Sequence, residues 1–208
     1  ALASRVDLLV GHASRASPWG MAMGPLAVSD LAGLDIGYRS RRDQGIESRS
    51  ALESALADTL VEMDRLGQKS GAGYYRYDPA TRARHADPEV EQLLRDIADQ
   101  WQVPQREIGD EEIVDRLILA LVNEGAAIVQ EGIAARPSDV DIVYINGYGF
   151  PSWRGGPMFY ADSLGLDTVT ARLQELRELT GDEGWKPAAL LRELQAAGST
   201  LEARNGRG

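Results

Sequence analysis

A twelve-residue phrase occurs twice in this 208-residue chain, and the duplication limits what the chain can fold into. The first copy runs from Gly24 to Asp35 and the second from Gly156 to Asp167, 132 residues further on, with six of the twelve positions identical and no gap. A period of that length is far beyond the roughly 20–50 residues of a solenoid repeat, so the duplication points to two related subdomains in tandem. Most of the shared residues read as helix punctuation. Pro25 and Pro157 suit the first position of a helix, where the missing N–H costs nothing. Gly33 and Gly165 suit a left-handed helix end. Asp35 and Asp167 are expected to cap a following helix. Asp30 and Asp162 fall in mid-helix, a poor place for Asp on propensity alone. The expected role is a hydrogen bond to neighbouring backbone, with a catalytic carboxylate as the alternative.

The rest of the pattern is mainly helical. Ser50-Ala51-Leu52-Glu53 has the form of a capping box. The helix it opens carries Leu52, Leu56, Leu60 and Met63 and stops by Gly67. Asp87-Pro88 starts another, with Val90, Leu93, Leu94, Ile97 and Trp101 inward. The longest apolar stripe runs from Asp110, expected as its cap, to Gly132. A shorter helix follows from Ser138, with Asp141 completing a capping box, and a last one runs from Pro187 to Gly198; the tail beyond Ser199 is expected to fray. Gly71 to Asp78 breaks the helical pattern with a Gly-rich turn and alternating aromatics. This organisation predicts two domains, 1–85 and 86–208.

Composition removes several function classes. A formal charge of −10 disfavours a nucleic-acid partner, and an anionic ligand would need a local basic patch or another domain. No apolar run approaches ~18 residues, so no membrane span is expected. Without cysteine there is neither a disulfide framework nor a thiolate metal site, which suits a cytoplasmic location. Ile142 to Gly149 resembles a strand entering a Gly-x-Gly turn, but Ser152 stands where the third glycine belongs, and Pro151, Gly155, Gly156 and Pro157 interrupt the helix that would hold a pyrophosphate. No Rossmann domain, and no cofactor bound by this chain, is therefore expected. His12 and His85 lack the spacing of metal ligands and read as solvated side chains. Tyr148, Phe150, Trp153, Phe159 and Tyr160 surround Arg154. That cluster could pack the two halves together, form an interface hot spot or wall a ligand.

Several phrases, in order, resemble one family. Met23-Gly24-Pro25 through Gly33-Leu34-Asp35-Ile36-Gly37 is similar to the C-terminal domain of 3-hydroxyacyl-CoA dehydrogenases, and Lys69-Ser70-Gly71-Ala72-Gly73-Tyr74-Tyr75 to that domain's Lys-x-Gly-x-Gly-aromatic-Tyr motif. Glu111 through Gly132, Arg136 to Asp139 and Gly147 to Pro151 resemble a second copy, as in the multifunctional β-oxidation enzymes. The resemblance implies two tandem helical domains, the first truncated at its N-terminus, and NAD-dependent oxidation of an L-3-hydroxyacyl-CoA to the 3-ketoacyl-CoA. It also implies that the NAD site and the catalytic His–Glu pair belong to a preceding NAD-binding domain, so that no catalytic residue lies here and the chain alone is inactive. A family Asn that orients substrate would sit in a lead-in helix that the first copy lacks; its counterpart in the second copy is Asp115. The substrate-facing piece would be Met23-Gly24-Pro25, one wall of the acyl-CoA cleft. The partners implied are the NAD-binding domain, the acyl-CoA and a second copy of the chain through its helical surfaces. A non-catalytic interaction module derived from the family is the competing reading.

Overall fold

The computed structural model describes residues 19–206 except 22, 50, 104, 105 and 107. The described residues divide into two compact units, one of residues 23–106 and one of residues 108–206 together with 19–21. Nearly all the regular structure is helical, as expected for two tandem helical domains.

In the first unit the Gly24 phrase becomes α1 (Pro25–Ala32) followed at once by α2 (Leu34–Asp43). Next come α3 (Leu52–Glu62) and a short antiparallel ribbon, β1 (Arg76–Tyr77) paired with β2 (Arg84–His85). The unit closes with α4 (Pro88–Gln100), where Pro88 takes the first position and the Asp87 carboxylate accepts the Glu89 N–H at 3.1 Å. Leu26, Leu34, Leu52, Leu56, Leu60, Val90, Leu94 and Ile97 form one buried core. Helix α4 thus belongs to the first unit, and the division falls at 107/108 instead of 85/86. The apolar stripe that was expected to open the second domain finds its complement on α3.

The second unit contains α5 (Asp110–Gln130), α6 (Pro137–Gly147), α7 (Pro157–Leu164), α8 (Leu166–Thr180) and α9 (Ala189–Ala196). Its core gathers Leu119, Val122, Met158, Val169, Leu173 and Leu191, all within 1% of full burial, and Trp19 and Met21 pack against it. The segment Ile142–Gly149, strand-like on composition, lies largely inside α6.

Four local expectations change. Gly33 is at once the end of α1 and the start of α2, with φ 105° and ψ 121°, and Gly165 does the same between α7 and α8. Both need positive φ, but neither is left-handed helical. Because each glycine is itself the cap, Asp35 and Asp167 are the second residues of their helices, and Asp110 is the first residue after its cap Gly109. At the start of α6 it is the Asp139 carboxylate that accepts the Arg136 N–H, at 3.0 Å, and the Arg136 guanidinium, at 2.7 Å, which leaves Asp141 for another role. As far as it is described, to Gly206, the tail does not fray: Leu201 is fully buried, a turn of 3₁₀ helix spans Glu202–Arg204, and the Asn205 side chain accepts the Ser138 N–H at 3.0 Å. The α3 capping box and His12 involve residues outside those described.

Candidate functional site

The loop expected to face substrate leads directly into α1. Met23 is exposed, Gly24 is buried in an extended conformation, and Pro25 opens the helix. The Gly24 carbonyl accepts the Val28 N–H at 3.1 Å and the Pro25 carbonyl accepts the Ser29 hydroxyl at 3.0 Å, so the loop is fixed by the first turn it precedes.

Behind the loop, Asp30 organises the Gly-rich motif. Its carboxylate is completely buried and accepts the Tyr74 N–H at 2.9 Å, the Tyr75 N–H at 3.1 Å and the Tyr77 hydroxyl at 2.8 Å. Burial pushes this carboxyl above its usual range even against those three donors. The chain passes so close here that a Cβ on Gly73 would lie 2.6 Å from the Asp30 Cγ. Asp35 is held by the Lys69 ammonium and by Arg39 at 3.2 Å. Its hydrogen bond to Lys69 keeps the carboxyl below its ordinary value. Gly33 leaves room for that pair, since a Cβ there would meet the Lys69 Nζ at 2.8 Å. Lys69 is one of only two lysines in the chain, a signal that could have suggested a specific partner.

The second copy repeats the plan with different chemistry. Asp162 accepts the Leu201 and Glu202 N–H groups, both at 2.8 Å. Asp167 accepts the Gln195 amide at 2.9 Å, so a neutral donor replaces Lys69. Asp141 reaches from α6 to the start of α7 and accepts the Met158 N–H at 2.7 Å and the Phe159 N–H at 3.2 Å. This is a cap supplied from another helix. Burial, with the Asp162 charge nearby, raises its pKa to about 6. The Arg172 Nη1 donates to both Asp115 carboxylate oxygens, at 2.8 and 3.0 Å, and its Nη2 to Glu111 at 3.0 Å. The Asp115 carboxyl is committed to an ion pair, and burial raises its pKa.

The aromatic cluster has a member that sequence spacing did not reveal. Trp19 meets Phe150 and Tyr160 edge to face, each at 5.3 Å between centroids. The Arg154 guanidinium lies 4.1 Å from the Trp19 and Trp153 rings. Tyr148, Trp153 and Phe159 remain exposed.

These groups fix backbone and pack rings. Among the described residues no set of three His, Asp or Glu side chains could hold a metal ion. His85 is exposed on β2. Among the described residues no helix is long and apolar enough to cross a membrane.

The family model for the 3-hydroxyacyl-CoA dehydrogenase C-terminal domain matches residues 14–77 and 113–208, one segment for each copy of the phrase. The chain belongs to this family. The peroxisomal bifunctional enzyme of Cavia porcellus is 40% identical over 195 residues, which cover 87% of this chain and 27% of that protein. The fatty acid oxidation complex subunit alpha of Pseudomonas aeruginosa (strain LESB58) is 35% identical over 186 residues, covering 86% and 25%. The chain therefore spans about a quarter of the length of these relatives. The dehydrogenase part of multifunctional enzyme 1 from C. elegans superposes with a TM-score of 0.69 at 27% identity over 87% of this chain and 40% of that one. At 20% identity and a TM-score of 0.58, 3-hydroxybutyryl-CoA dehydrogenase from Escherichia coli shares the fold.

Within a dehydrogenase C-terminal domain the Asp30 and Lys69 contacts acquire a clear sense. They join the Gly-Pro phrase to the Lys-x-Gly-x-Gly motif, the two family signatures of the first copy. Asp30 and Asp162 each hold two consecutive backbone N–H groups.

Proposed function

We propose that this chain forms the C-terminal helical part of an NAD-dependent 3-hydroxyacyl-CoA dehydrogenase of the multifunctional fatty-acid β-oxidation type. The observation that carries the reading is the family match to both copies in one chain, shared with relatives named as bifunctional and fatty acid oxidation enzymes. In this reading Met23-Gly24-Pro25 forms one wall of the acyl-CoA cleft, while NAD and the His–Glu pair that takes the hydroxyl proton belong to an NAD-binding domain. These carboxylates support the division of labour, because Asp30, Asp115, Asp141 and Asp162 are all engaged in holding the fold. The cysteine-free composition supports a cytoplasmic location; the guinea-pig relative is named as peroxisomal, and cell fractionation decides between the two.

The test is an assay of NAD reduction with a 3-hydroxyacyl-CoA. The chain alone should give no NADH, and adding a separately produced NAD-binding domain should restore turnover. Turnover by the chain alone, or tight NAD binding to it in calorimetry, overturns the proposal.

A further inference from the structure

Two of the three asparagines of this chain, Asn146 and Asn205, precede glycine. That pairing sets up a reaction within the backbone. The nitrogen of the following residue can attack the side-chain carbonyl carbon of the asparagine, and glycine offers no Cβ to hinder the approach. The folded chain places the two pairs in opposite circumstances.

Asn146 is held on every side. It lies in the last turn of α6, and its side-chain amide donates to the Ile142 carbonyl at 2.9 Å. Gly147 is the last residue of that helix, so its N–H belongs to the helical ladder. The Tyr148 and Phe150 N–H groups bond to the Tyr144 carbonyl at 3.2 and 3.0 Å and hold the chain just beyond. Turning the Asn146 backbone toward the geometry of attack breaks these bonds together.

Asn205 is held on one side only. Its N–H bonds to the Glu202 carbonyl at 2.9 Å, and its side-chain oxygen accepts the Ser138 N–H at 3.0 Å. Beyond it, the Gly206 N–H has no hydrogen-bond partner among the described residues, and a Cβ on Gly206 would meet nothing within 4 Å. The Asn205 ψ of −26° is helical, whereas ring closure needs an extended value. Rotation about the Asn205 Cα–C bond supplies it. That rotation moves Gly206 and leaves the Asn205 side chain on Ser138.

The Ser138 N–H adds a second effect. Ser138 is the second residue of α6, so its N–H is one of the first-turn donors without a partner inside the helix. It is bound to the very oxygen that takes up negative charge when the side-chain carbonyl is attacked. A backbone donor at the positive end of a helix stabilises such an oxyanion.

We propose that Asn205 is a site of spontaneous deamidation through attack by the Gly206 nitrogen, with the Ser138 N–H as the oxyanion donor. Hydroxide takes the Gly206 amide proton, and the nitrogen forms a bond to the Asn205 Cγ. The Cγ–Nδ2 bond then breaks, and ammonia leaves with a proton from water, which regenerates the hydroxide. Water opens the resulting succinimide at either carbonyl and gives aspartate or isoaspartate. One water is consumed and one ammonia released, with no change of oxidation state. Either product places a new carboxyl beside the start of α6, and isoaspartate also lengthens the backbone before Gly206 by one carbon. The reaction uses no residue assigned to the dehydrogenase, so its outcome is independent of the proposed function.

Incubation of the full chain in mildly alkaline heavy-oxygen water, followed by digestion with glutamyl endopeptidase and mass spectrometry, tests this. The peptide holding Asn205 should show the mass change of an amide-to-acid conversion with one heavy oxygen, and the peptide holding Asn146 should not. In guanidinium chloride both should convert, with Asn205 slower than in the folded chain. Ser138→Pro removes the donor at a first-turn position that tolerates proline. With an unchanged melting temperature, this variant should slow conversion of Asn205 about tenfold, the effect of losing one hydrogen bond to a developing charge. An intact Asn205 in the folded chain, conversion of Asn146 in step with it, a rate at Asn205 that rises on unfolding, or an unchanged rate in folded Ser138→Pro overturns the proposal.

Discussion

The Tyr77 hydroxyl donates to the buried Asp30 carboxylate at 2.8 Å, across 47 residues of sequence. The same carboxylate takes the Tyr74 and Tyr75 N–H groups, so one side chain of α1 satisfies three donors of the Tyr74–Tyr77 segment. Asp30→Ala strands all three and should destabilise the first unit by about 3 kcal/mol or more, since each buried orphan costs ~1–3 kcal/mol. Tyr77→Phe removes one donor and leaves the two backbone bonds, so its cost should be about 1 kcal/mol. Urea unfolding of both variants checks the ranking; equal losses would show that Asp30 does not hold the backbone.

The C-terminal segment makes the corresponding contact in the second unit. Asp162 receives the Leu201 and Glu202 N–H groups, and the Leu201 side chain is fully buried in the core. Leu201→Ala should cost about 2–5 kcal/mol, the range for a buried leucine that leaves a cavity. Stopping the chain after Ser199 should do at least as much damage. Thermal melts of the two variants, with near-ultraviolet circular dichroism for tertiary packing, provide the readout. A wild-type melt for the shortened chain would mean that the tail contributes nothing.

The helices were legible in the sequence because their signals are local. Pro25, Pro88 and Pro157 open helices as read, and Leu52, Leu56 and Leu60 all turn inward. What could not be read depends on distant partners. Asp141 looked like a local capping residue, yet its acceptor role is exercised seventeen residues on, at Met158. Leu201 lies in a polar stretch with no periodicity, and only its burial against the rest of the unit gives the tail a place. The domain boundary shifted for the same reason, since the stripe on α4 fits either neighbour until the packing is known. The substrate-facing role proposed for Met23-Gly24-Pro25 rests on family resemblance and not on any pattern in the loop itself.

Gly33 and Gly73 should both resist substitution, for different reasons. Gly33 combines φ 105° with a Cβ position 2.8 Å from the Lys69 Nζ. A lysine tip can swing aside, so Gly33→Ala should cost mainly its backbone strain, ~1–3 kcal/mol. Gly73 has no such escape. Its Cβ would lie 2.6 Å from the Asp30 Cγ and 2.7 Å from the Gly67 Cα, a carboxylate already fixed by three donors and a stretch of backbone. Gly73→Ala should therefore be the more damaging change and yield little soluble folded protein. Expression and melting of the pair test the order, and a milder Gly73→Ala would show that the Asp30 contacts can move.

Asp141 should make the second unit more stable in mild acid than at neutral pH. Its pKa of about 6 lies above the ordinary carboxylate value of 3.8, because burial and the Asp162 charge disfavour ionisation. Between those two values the folded chain binds more proton than the unfolded chain, so stability falls as pH rises through the window and recovers as pH is lowered. The carboxyls of Asp35 and Asp87 are shifted the other way, and their loss of stability begins only below about pH 4. Asp141→Asn keeps an oxygen to accept the Met158 and Phe159 N–H groups but cannot ionise. The variant should therefore melt above the wild type at pH 7 to 8, with the gap closing toward pH 5. Melting curves of the two proteins across that range measure the difference. A gap that stays constant with pH would show that the Asp141 carboxyl does not titrate there.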